Sequence, residues 1–357
     1  MNVGLVMPTY FDAASVLAGG ERYALELARA LAPLTPTTLV TFAPHTGTTH
    51  VGPLTIEYHR ILSGRAGALN PVAFSHLSTL SRCDVIHCLQ PRTYVTDLAM
   101  LYGFVAGKRT YLTDLAGGQA KSLARFVPMR NLMTRFLPIS EYNRQFNARI
   151  TRPVTVIGGG VDTDAFSPDP GSTRQRDLFC YVGRISEHKG LHLLIDALPP
   201  GARLDVIGGF SDDAYRHRVE ALAHGKPVRF LGRLDDAAVV RTYRESLASV
   251  LPSLIDTGFT SSMESMACGT PVVGTRMGSL PEIVEEARTG FFVPPGDVPA
   301  LRASLAHAMQ HADELVAMSE VCRRVALSRF TWRGVAERCL AAYQGRPDVD
   351  TMPARSG

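Results

Sequence analysis

The 357-residue sequence has no Cys-x-x-Cys pair, no long apolar run and no stretch of clustered positive charge. Several of its six cysteines stand inside apolar segments, which predicts buried thiols in a reducing compartment, without a disulfide framework or a zinc site. Because no run reaches the roughly 18 apolar residues of a membrane span, we expect none. Lys and Arg exceed Asp and Glu by only 37 − 33 = 4, which argues against a nucleic-acid binder.

Three further absences bear on location and chemistry. The first residues, MNVGLVMPTY, lack the basic region and apolar core of a signal peptide, so we expect a cytoplasmic protein with membrane contact that is at most peripheral. No group of His, Asp and Glu has the spacing of a metal site, and no nucleophile stands beside a base. The sequence therefore predicts neither a bound metal ion nor a cofactor.

The composition, with 45% hydrophobic and 20% charged residues, is that of a globular protein long enough for two domains. Short β-rich runs without clean polar alternation recur along the chain and are separated by segments of helical period. The predicted strands are 2–8, 37–42, 84–89, 109–114 and 135–140 in the first half, and 178–184, 203–209, 228–234, 248–254 and 270–276 in the second. Two such sets predict an α/β protein with two doubly wound parallel-sheet domains.

The domain boundaries follow from composition. The predicted parts are a first domain (1–160), a Gly-, Pro- and Asp-rich linker (161–176), a second domain (177–330), a helix packing towards the first domain (331–345) and a flexible tail (346–357). Ligands of doubly wound sheets bind at the carboxyl ends of the strands. We therefore expect the site in a cleft where two such edges face each other.

The first informative loop is YVGRISEHKGLHLL. A predicted strand ends at Gly183, two cations follow at Arg184 and Lys189, and a helix begins near Gly190. Fixed cations beside glycines suit a diphosphate whose negative charge grows as a bond to it breaks. The alternative is an ordinary polar turn with solvated side chains.

The second loop, in VLPSLIDTGFTSSMESMACGTPVVGT, places Asp256 and Glu264 around a predicted helix start. Backbone amides near Thr260, Ser261 and Ser262 would form an anion site at that start. Carboxylates are suited to binding vicinal hydroxyls of a sugar or ribose, since each oxygen accepts hydrogen bonds. The alternative is that Glu264 is a surface helix residue, although its neighbours are apolar.

These loops together resemble the large glycosyl transferases group 1 family of retaining, GT-B-fold enzymes that use nucleoside-diphosphate sugars. GRISEHKG is similar to the family's Gly-Arg…Lys-Gly loop, and ESMACGTPVV is similar to the end of its Glu-x7-Glu signature. VIGGGVDTDAFSP and LPEIVEEARTGFFVPPGD resemble other family segments. The likeness covers nearly the whole chain.

The resemblance implies a role for each matched position. Arg184 and Lys189 would bind the donor diphosphate, Glu264 the ribose hydroxyls, and Asp256 the hydroxyls of the donor sugar. The implied nucleotide-binding positions are completed by Gly19, Gly20, Gly183, Arg233, Thr260, Ser261 and Ser262. The implied reaction moves a hexosyl group with retention and without a metal ion, the leaving phosphate receiving the acceptor's proton.

Two departures from the family pattern leave details open. Asp256 replaces the usual Glu, which leaves the donor sugar undefined, and the nucleotide base is not defined either. In the first domain no histidine follows the fourth-strand region, where TYLTDLAGGQ offers Asp114 instead. Asp114 is a candidate for a sugar contact or for accepting the acceptor's proton, and equally for capping a following helix.

Two other functions remain as alternatives: a GT-B-fold sugar-nucleotide epimerase or pseudo-glycosyltransferase, and a non-catalytic sugar-nucleotide-binding subunit. The acceptor, whether a natural product, a polysaccharide intermediate or a lipid-linked sugar, has no decodable pattern in 43–82 or 115–134. The basic stretch KSLARFVPMRNLMTRF fits either a membrane-surface helix or, as we favour, a packed segment with solvated cations.

Overall fold

The computed structural model describes residues 1–9, 19–62, 70–115, 131–147, 150–255 and 260–346. Contacts divide the described chain into two compact units. The first unit contains 1–160 and 332–346, and the second contains 161–331. The stretch predicted as a linker does not stand apart from them. Phe166 is fully buried, and its carbonyl accepts a 2.9 Å hydrogen bond from Arg323 of the second unit.

The first unit is built on a seven-stranded sheet with the order β3-β4-β2-β1-β5-β6-β7. Its strands are β1 (Val3–Val6), β2 (Thr37–Ala43), β3 (Gly47–Val51), β4 (Leu54–Arg60), β5 (Val85–Cys88), β6 (Arg109–Leu112) and β7 (Arg135–Phe136). All neighbours are parallel except β3, which pairs antiparallel with β4. The helices of this unit that precede the second unit in the chain are α1 (Gly19–Leu31), α2 (His76–Ser81), α3 (Tyr94–Val105) and α4 (Glu141–Phe146).

The second unit is built on a six-stranded, fully parallel sheet with the order β10-β9-β8-β11-β12-β13. Its strands are β8 (Gln175–Val182), β9 (Arg203–Ile207), β10 (Val228–Gly232), β11 (Ser246–Leu251), β12 (Val272–Thr275) and β13 (Gly290–Val293). Its helices are α5 (Leu191–Ala197), α6 (Asp213–Ala223), α7 (Asp236–Glu245), α8 (Thr260–Ala267), α9 (Leu280–Ile283), α10 (Val298–Gln310), α11 (Ala312–Ala317) and α12 (Ser319–Arg329).

Both sheets have the strand order of a doubly wound nucleotide-binding fold, which confirms the predicted fold class. In each unit the chain starts near the middle of the sheet, builds outwards and then crosses to the other side. The order reverses between β8 and β11 in the second unit, and ligands of such folds bind at this switch point. The first sheet differs by its extra antiparallel edge strand β3, which the sequence did not reveal.

Local chemistry explains where the helices of the second unit begin. The carboxylates of Asp212, Asp235 and Asp297 each accept a hydrogen bond of 2.7–2.9 Å from the backbone N–H three residues on. These N-caps satisfy amides that have no partner within the helix. The helices α6, α7 and α10 therefore start directly after an aspartate.

Among the described residues, none of the helices has the length and apolar character that a membrane span requires.

The final helix, α13 (Trp332–Tyr343), completes the first unit. The Tyr111 hydroxyl donates a 3.1 Å hydrogen bond to the carbonyl of Ala342, and Arg338 donates one of 2.8 Å to the carbonyl of Ile157. The hydroxyl of Tyr343 lies 2.6 Å from Nδ1 of His87. The helix is thus held by buried polar contacts as well as by its apolar face.

Three buried histidines, His59, His76 and His87, make the stability of the first unit dependent on pH, because burial lowers the pKa of each. The shifts of His76 and His87 are large. Burial lowers the pKa of His87 from 6.5 to about 3 and that of His76 to about 4, so both rings are neutral at pH 7. In the unfolded chain they titrate near 6.5 and bind protons that the folded unit does not. We expect stability to fall as pH drops from about 6.5 towards 4, by about 1.4 kcal/mol per pH unit for each histidine.

The single tryptophan, Trp332, provides the readout, because it packs edge-on against Tyr23 in the first unit, 5.0 Å between ring centroids. Urea unfolding followed by its fluorescence at about pH 7 and pH 5 measures the slope. His87→Gln should flatten the slope, whereas the control His50→Gln, on the exposed strand β3, should leave it unchanged. An unaltered slope in His87→Gln would contradict the assignment.

Candidate functional site

The loop after β8 lies at the switch point of the second sheet and is tied to the loop after β9. Gly183 donates a 3.0 Å backbone hydrogen bond to Ile207, and Ile185 donates one of 2.9 Å to Gly209. A Cβ at Gly208 would lie 1.8 Å from the carbonyl oxygen of Gly183, so only glycine allows this approach. The contact fixes the backbone from which Arg184 projects, and this side chain is exposed.

The loop after β11 packs against the turn that contains Lys189. Leu254 donates a 2.7 Å backbone hydrogen bond to the carbonyl of His188. Gly190 has φ +72°, and a Cβ there would lie 2.0 Å from the carbonyl oxygen of Pro252. The structure therefore brings the half-buried Lys189 to the start of the segment that contains Asp256. Asp256 itself lies outside the described residues.

Arg233 adds a third cation to this edge of the sheet. Gly208 donates a 2.8 Å backbone hydrogen bond to the carbonyl of Gly232, which ties the ends of β9 and β10 together. The guanidinium of Arg233 lies against Gly209, where a Cβ would be 2.7 Å from its Nε. The loops after β8, β9, β10 and β11 thus form one continuous edge that carries Arg184, Lys189 and Arg233.

Glu264 lies on α8, the helix that follows β11. It is only 8% exposed. The hydroxyl of the buried Tyr243 donates a 3.1 Å hydrogen bond to the carbonyl of Ser261 in the first turn of this helix. The helix begins at Thr260, which is exposed, and Ser262 in its first turn is buried. Glu264 is therefore not a solvated surface residue.

The candidate residues of the first unit are placed as follows. Asp114 is half-buried just after β6, and its carboxylate accepts a 3.3 Å hydrogen bond from the Asn147 amide. The helix it was proposed to cap falls outside the described residues. Gly19 and Gly20 start α1; among described residues, a Cβ at Gly19 would meet nothing within 4 Å, and one at Gly20 only Met7, at 3.4 Å.

Three histidines near these loops have different environments. His188 is exposed. His192 is half-buried, and its Nδ1 lies 2.8 Å from the Tyr215 hydroxyl. Burial, followed by the charge of Arg218, lowers the pKa of His192. His87 is fully buried between Tyr343 and Thr113, which makes it a core residue.

The arrangement in the second unit can bind an extended anionic ligand. Guanidinium and ammonium groups at one edge stabilise phosphate charge, and a partly dehydrated carboxylate accepts hydrogen bonds from hydroxyl groups. No group of three or more His, Cys, Asp or Glu residues suited to a metal ion occurs within the described ranges. Sequence reasoning missed the steric need for Gly190 and Gly208, since nothing in the local pattern marks it.

Comparison with known proteins agrees with this fold. Residues 162–324 match the family described as "Glycosyl transferases group 1". Glycogen synthase of Mycobacterium tuberculosis is 30% identical over 56% of this chain and 50% of its own length. D-inositol 3-phosphate glycosyltransferase of Corynebacterium glutamicum is 30% identical over 53% of this chain and 51% of its own length. The chain spans about half the length of these curated relatives.

Solved structures cover nearly the whole chain at low identity. Sucrose-phosphate synthase from Thermosynechococcus elongatus superposes with a TM-score of 0.77 at 20% identity, over 96% of this chain and 98% of that one. Anabaena HepE, in complex with UDP and glucose, superposes with a TM-score of 0.75 at 18% identity, over 97% and 100%. Fold and switch-point loops thus define a GT-B protein with two doubly wound units. The second unit is therefore similar to the glycosyl transferases group 1 family over residues 162–324, which is less than half of the chain.

Proposed function

We propose that the protein is a retaining glycosyltransferase that moves a hexosyl group from a nucleoside-diphosphate sugar to a hydroxyl acceptor. The observation that carries the proposal is the edge of the second sheet, where Arg184, Lys189 and Arg233 stand on loops tied to one another. An edge with this charge, at the switch point of a nucleotide-binding fold, is suited to a diphosphate.

Each residue has a proposed task in the reaction. Arg184 and Lys189 bind the diphosphate and stabilise the charge that develops on it as the bond to the sugar breaks. Glu264 accepts hydrogen bonds from the ribose hydroxyls, and Arg233 contacts the base. Asp256 is predicted to bind hydroxyls of the donor sugar. The roles of Gly183 and of the backbone amides at Thr260, Ser261 and Ser262 also stay predictions.

The first unit is proposed to bind the acceptor. Asp114, already hydrogen-bonded to Asn147, is the candidate for a donor-sugar contact or for accepting the acceptor's proton. Gly19 and Gly20 start α1, and their approach to the diphosphate stays a prediction. The absence of a cofactor and the cytoplasmic location stay predictions too.

The similar proteins support a nucleotide sugar as the donor, but they do not point to any particular acceptor. Structures of HepE contain UDP, and one contains UDP-glucose. The curated relatives are named for acceptors as different as glycogen and inositol phosphate, so the acceptor of this chain stays undefined. None of these similar proteins is named as an epimerase or a pseudo-glycosyltransferase, and no observation in the structure favours that alternative.

A thermal-shift screen against UDP-, GDP-, ADP- and dTDP-sugars tests the proposal. A donor that binds only the folded chain should raise the melting temperature, since saturation at about 100 times Kd adds about 2.7 kcal/mol of stability. Glu264→Ala should weaken the shift, whereas the control Glu220→Ala, on the outer face of α6 and paired with Arg216, should retain it.

Product analysis by mass spectrometry then separates the reaction classes. Transfer to an added acceptor raises the acceptor's mass by one hexosyl residue, while an epimerase consumes no acceptor. If no nucleotide sugar shifts the melting temperature, or if the isolated chain binds a donor and turns over none of it with any acceptor class, the proposed enzyme activity is wrong.

A further inference from the structure

Arg92 lies at the switch point of the first sheet. The order of that sheet reverses between β1 and β5, and Arg92 belongs to the loop that joins β5 to α3. Leu89, the first residue after β5, donates a 2.9 Å backbone hydrogen bond to the carbonyl of Val6, the last residue of β1. The loop therefore leaves the sheet at the position where ligands of doubly wound folds bind.

The backbone of Arg92 is in the left-handed region, with φ +60°. Glycine adopts this conformation without steric cost, whereas a residue with a Cβ does not. Among the described residues other than glycine, Ala287 is the one further case, in the turn that leads into β13. Unfavourable backbone conformations of this kind concentrate at ligand-binding sites. The conformation of Arg92 thus marks its loop as a candidate binding site.

The residues on both sides of the arginine hold the loop in place. Thr96 Oγ1 donates a 2.7 Å hydrogen bond to the carbonyl of Gln90, and the backbone N–H of Tyr94 donates one of 2.8 Å to Oδ1 of Asn70. Thr93 is 1% exposed and is the N-cap of α3. Because these neighbours are anchored, the conformation of the loop is set before any ligand arrives.

The side chain of Arg92 differs in its contacts from other arginines of this unit. Arg109 donates a hydrogen bond to the carbonyl of Tyr343, and Arg135 donates one of 2.6 Å to the hydroxyl of Thr155. Arg92 is exposed, and its guanidinium has no hydrogen bond or ion pair to any residue that the structure describes. A planar guanidinium binds a phosphate or a carboxylate through two parallel hydrogen bonds. The position therefore suits an oxyanion.

The next loop along this edge of the sheet carries Asp114. The strands β5 and β6 are adjacent and parallel, and Thr113 donates a 2.8 Å backbone hydrogen bond to the carbonyl of Cys88, so the two loops leave the sheet side by side. One loop thus offers a cation, and its neighbour offers the carboxylate already proposed to contact the donor sugar or to accept a proton. This pair is suited to an acceptor that has both an anionic group and a reactive hydroxyl.

We propose that the acceptor carries a phosphate or carboxylate group and that Arg92 recognises this group. The inference rests on the proposed function, which leaves the acceptor undefined. The anionic group keeps all its bonds during transfer. The acceptor hydroxyl forms the new bond to the anomeric carbon, and the bond from that carbon to the diphosphate breaks. The nucleoside diphosphate leaves with that electron pair, and the hydroxyl proton passes to it or to Asp114.

The experiment uses matched acceptor probes, each a neutral compound beside its charged form. Glucose is compared with glucose 6-phosphate and with glucuronate, and glycerol is compared with glycerol 3-phosphate. Transfer from the nucleotide sugar that the thermal-shift screen selects gives kcat/KM for each probe. The melting temperature with each probe alone detects binding by a charged probe whose hydroxyl is wrongly placed for transfer.

The wild-type chain should bind and use the charged probe of a pair in preference to the neutral one. Arg92→Ala should lower this preference by about 10–100-fold, the range for a hydrogen bond to a charged group. Arg92→Lys should lose part of it, because an ammonium group lacks the planar fork of a guanidinium. Arg92→Gly should lose as much as Arg92→Ala and yet unfold at a higher temperature, because glycine adopts φ +60° freely.

The matched control is Arg29→Ala. Arg29 is an exposed arginine of the same unit, paired with Glu26 in the last turn of α1, which leads to the opposite edge of the sheet. Its replacement should leave the preference for the charged probe unchanged. The fluorescence of Trp332 gives the unfolding midpoint of the first unit for every variant.

The outcomes separate this inference from the proposed function. A preference for charged probes that is lost in Arg92→Ala and kept in Arg29→Ala supports the inference, and the comparison of glucose 6-phosphate with glucuronate then assigns the anion. Equal use of neutral and charged probes, no binding of any charged probe, or an unchanged preference in Arg92→Ala overturns it. A chain that still binds and turns over its nucleotide sugar in that case retains the proposed function with a neutral acceptor. A chain that binds no nucleotide sugar loses the proposed function first.

Discussion

Lys189→Ala and Arg184→Ala should each lower kcat for glycosyl transfer by about 10²–10³-fold, the usual loss when one preorganised group is removed from developing negative charge. The structure explains why these two side chains act together. Arg184 follows the Gly183–Gly208 contact, and Lys189 lies in the turn held by the loop after β11. Both backbones are anchored, so the charges are in place before the donor binds.

For each variant, the loss of kcat is to be compared with the loss of affinity for the donor. The diphosphate carries more charge in the transition state than in the bound donor, so kcat should fall further than the affinity for the intact sugar nucleotide, which we expect to weaken by about tenfold. Steady-state kinetics at saturating donor, with calorimetric binding of the intact UDP-sugar in the absence of an acceptor, measures both quantities for each variant.

Matched controls exist in the same unit. Arg203→Ala removes an exposed arginine paired with Asp177 near the amino ends of the strands, and Lys226→Ala removes a lysine that hydrogen-bonds the carbonyl of Ile195. Both controls should retain activity within about twofold, because exposed ion pairs contribute little. Full activity in Lys189→Ala together with Arg184→Ala would disprove the assigned diphosphate site.

Gly190→Ala should destabilise the second unit by at least about 3 kcal/mol and abolish nucleotide binding. Two costs add at this position. A left-handed φ of +72° is unfavourable for alanine, and the new Cβ would lie 2.0 Å from the carbonyl oxygen of Pro252. Relief of that clash must separate the Lys189 turn from the loop after β11, which are the two segments that the site requires together.

Gly225→Ala isolates the first of these costs. Gly225 has nearly the same φ, +73°, but a Cβ there would meet nothing within 4 Å among the described residues. We expect this variant to lose only about 1–2 kcal/mol and to keep its nucleotide affinity. Far-UV circular dichroism follows the unfolding of both units, while the fluorescence of Trp332 reports on the first unit alone. A loss of dichroism without a change in fluorescence is therefore assigned to the second unit.

Equal destabilisation of the two glycine variants would contradict the expected difference. It would mean that backbone strain alone sets the cost and that the approach of the two loops has no energetic consequence. Retained UDP affinity in Gly190→Ala would show, in addition, that the Lys189 turn does not need the loop after β11.

The buried strands could be predicted from sequence because their signal is local. A parallel strand covered on both faces is a short, continuous run of apolar residues, and β2, β9 and β11 all lie within a few residues of the predicted positions. The strand β3 could not be predicted, because all five of its residues are exposed and it exists only by pairing with β4. The strands β4 and β13 were also missed, and length does not explain this, because β1, β5, β6 and β12 are no longer than β13.

The residues of the candidate site also differ in whether the sequence could predict them. Arg184, Lys189 and Glu264 stand out by residue type and by their position after predicted strands, so their candidacy needed no coordinates. Tyr243 gave no such signal, because the Ser261 carbonyl that its hydroxyl contacts is 18 residues away on another helix. A buried tyrosine in a helix looks the same in sequence whether it only fills space or also donates a hydrogen bond to a neighbouring helix.

The sequence by itself determined the two-sheet architecture, the family resemblance and the charged loops, because hydrophobic periodicity and loop chemistry are properties of neighbouring residues. Tertiary structure alone decided that residues 161–174 belong to the second unit, that His87 is a core residue closed by Tyr343, and that Gly190 must lack a side chain. Each of these depends on two distant segments approaching within a few ångströms. Such an approach is set by the packing of the whole unit, which no local pattern encodes.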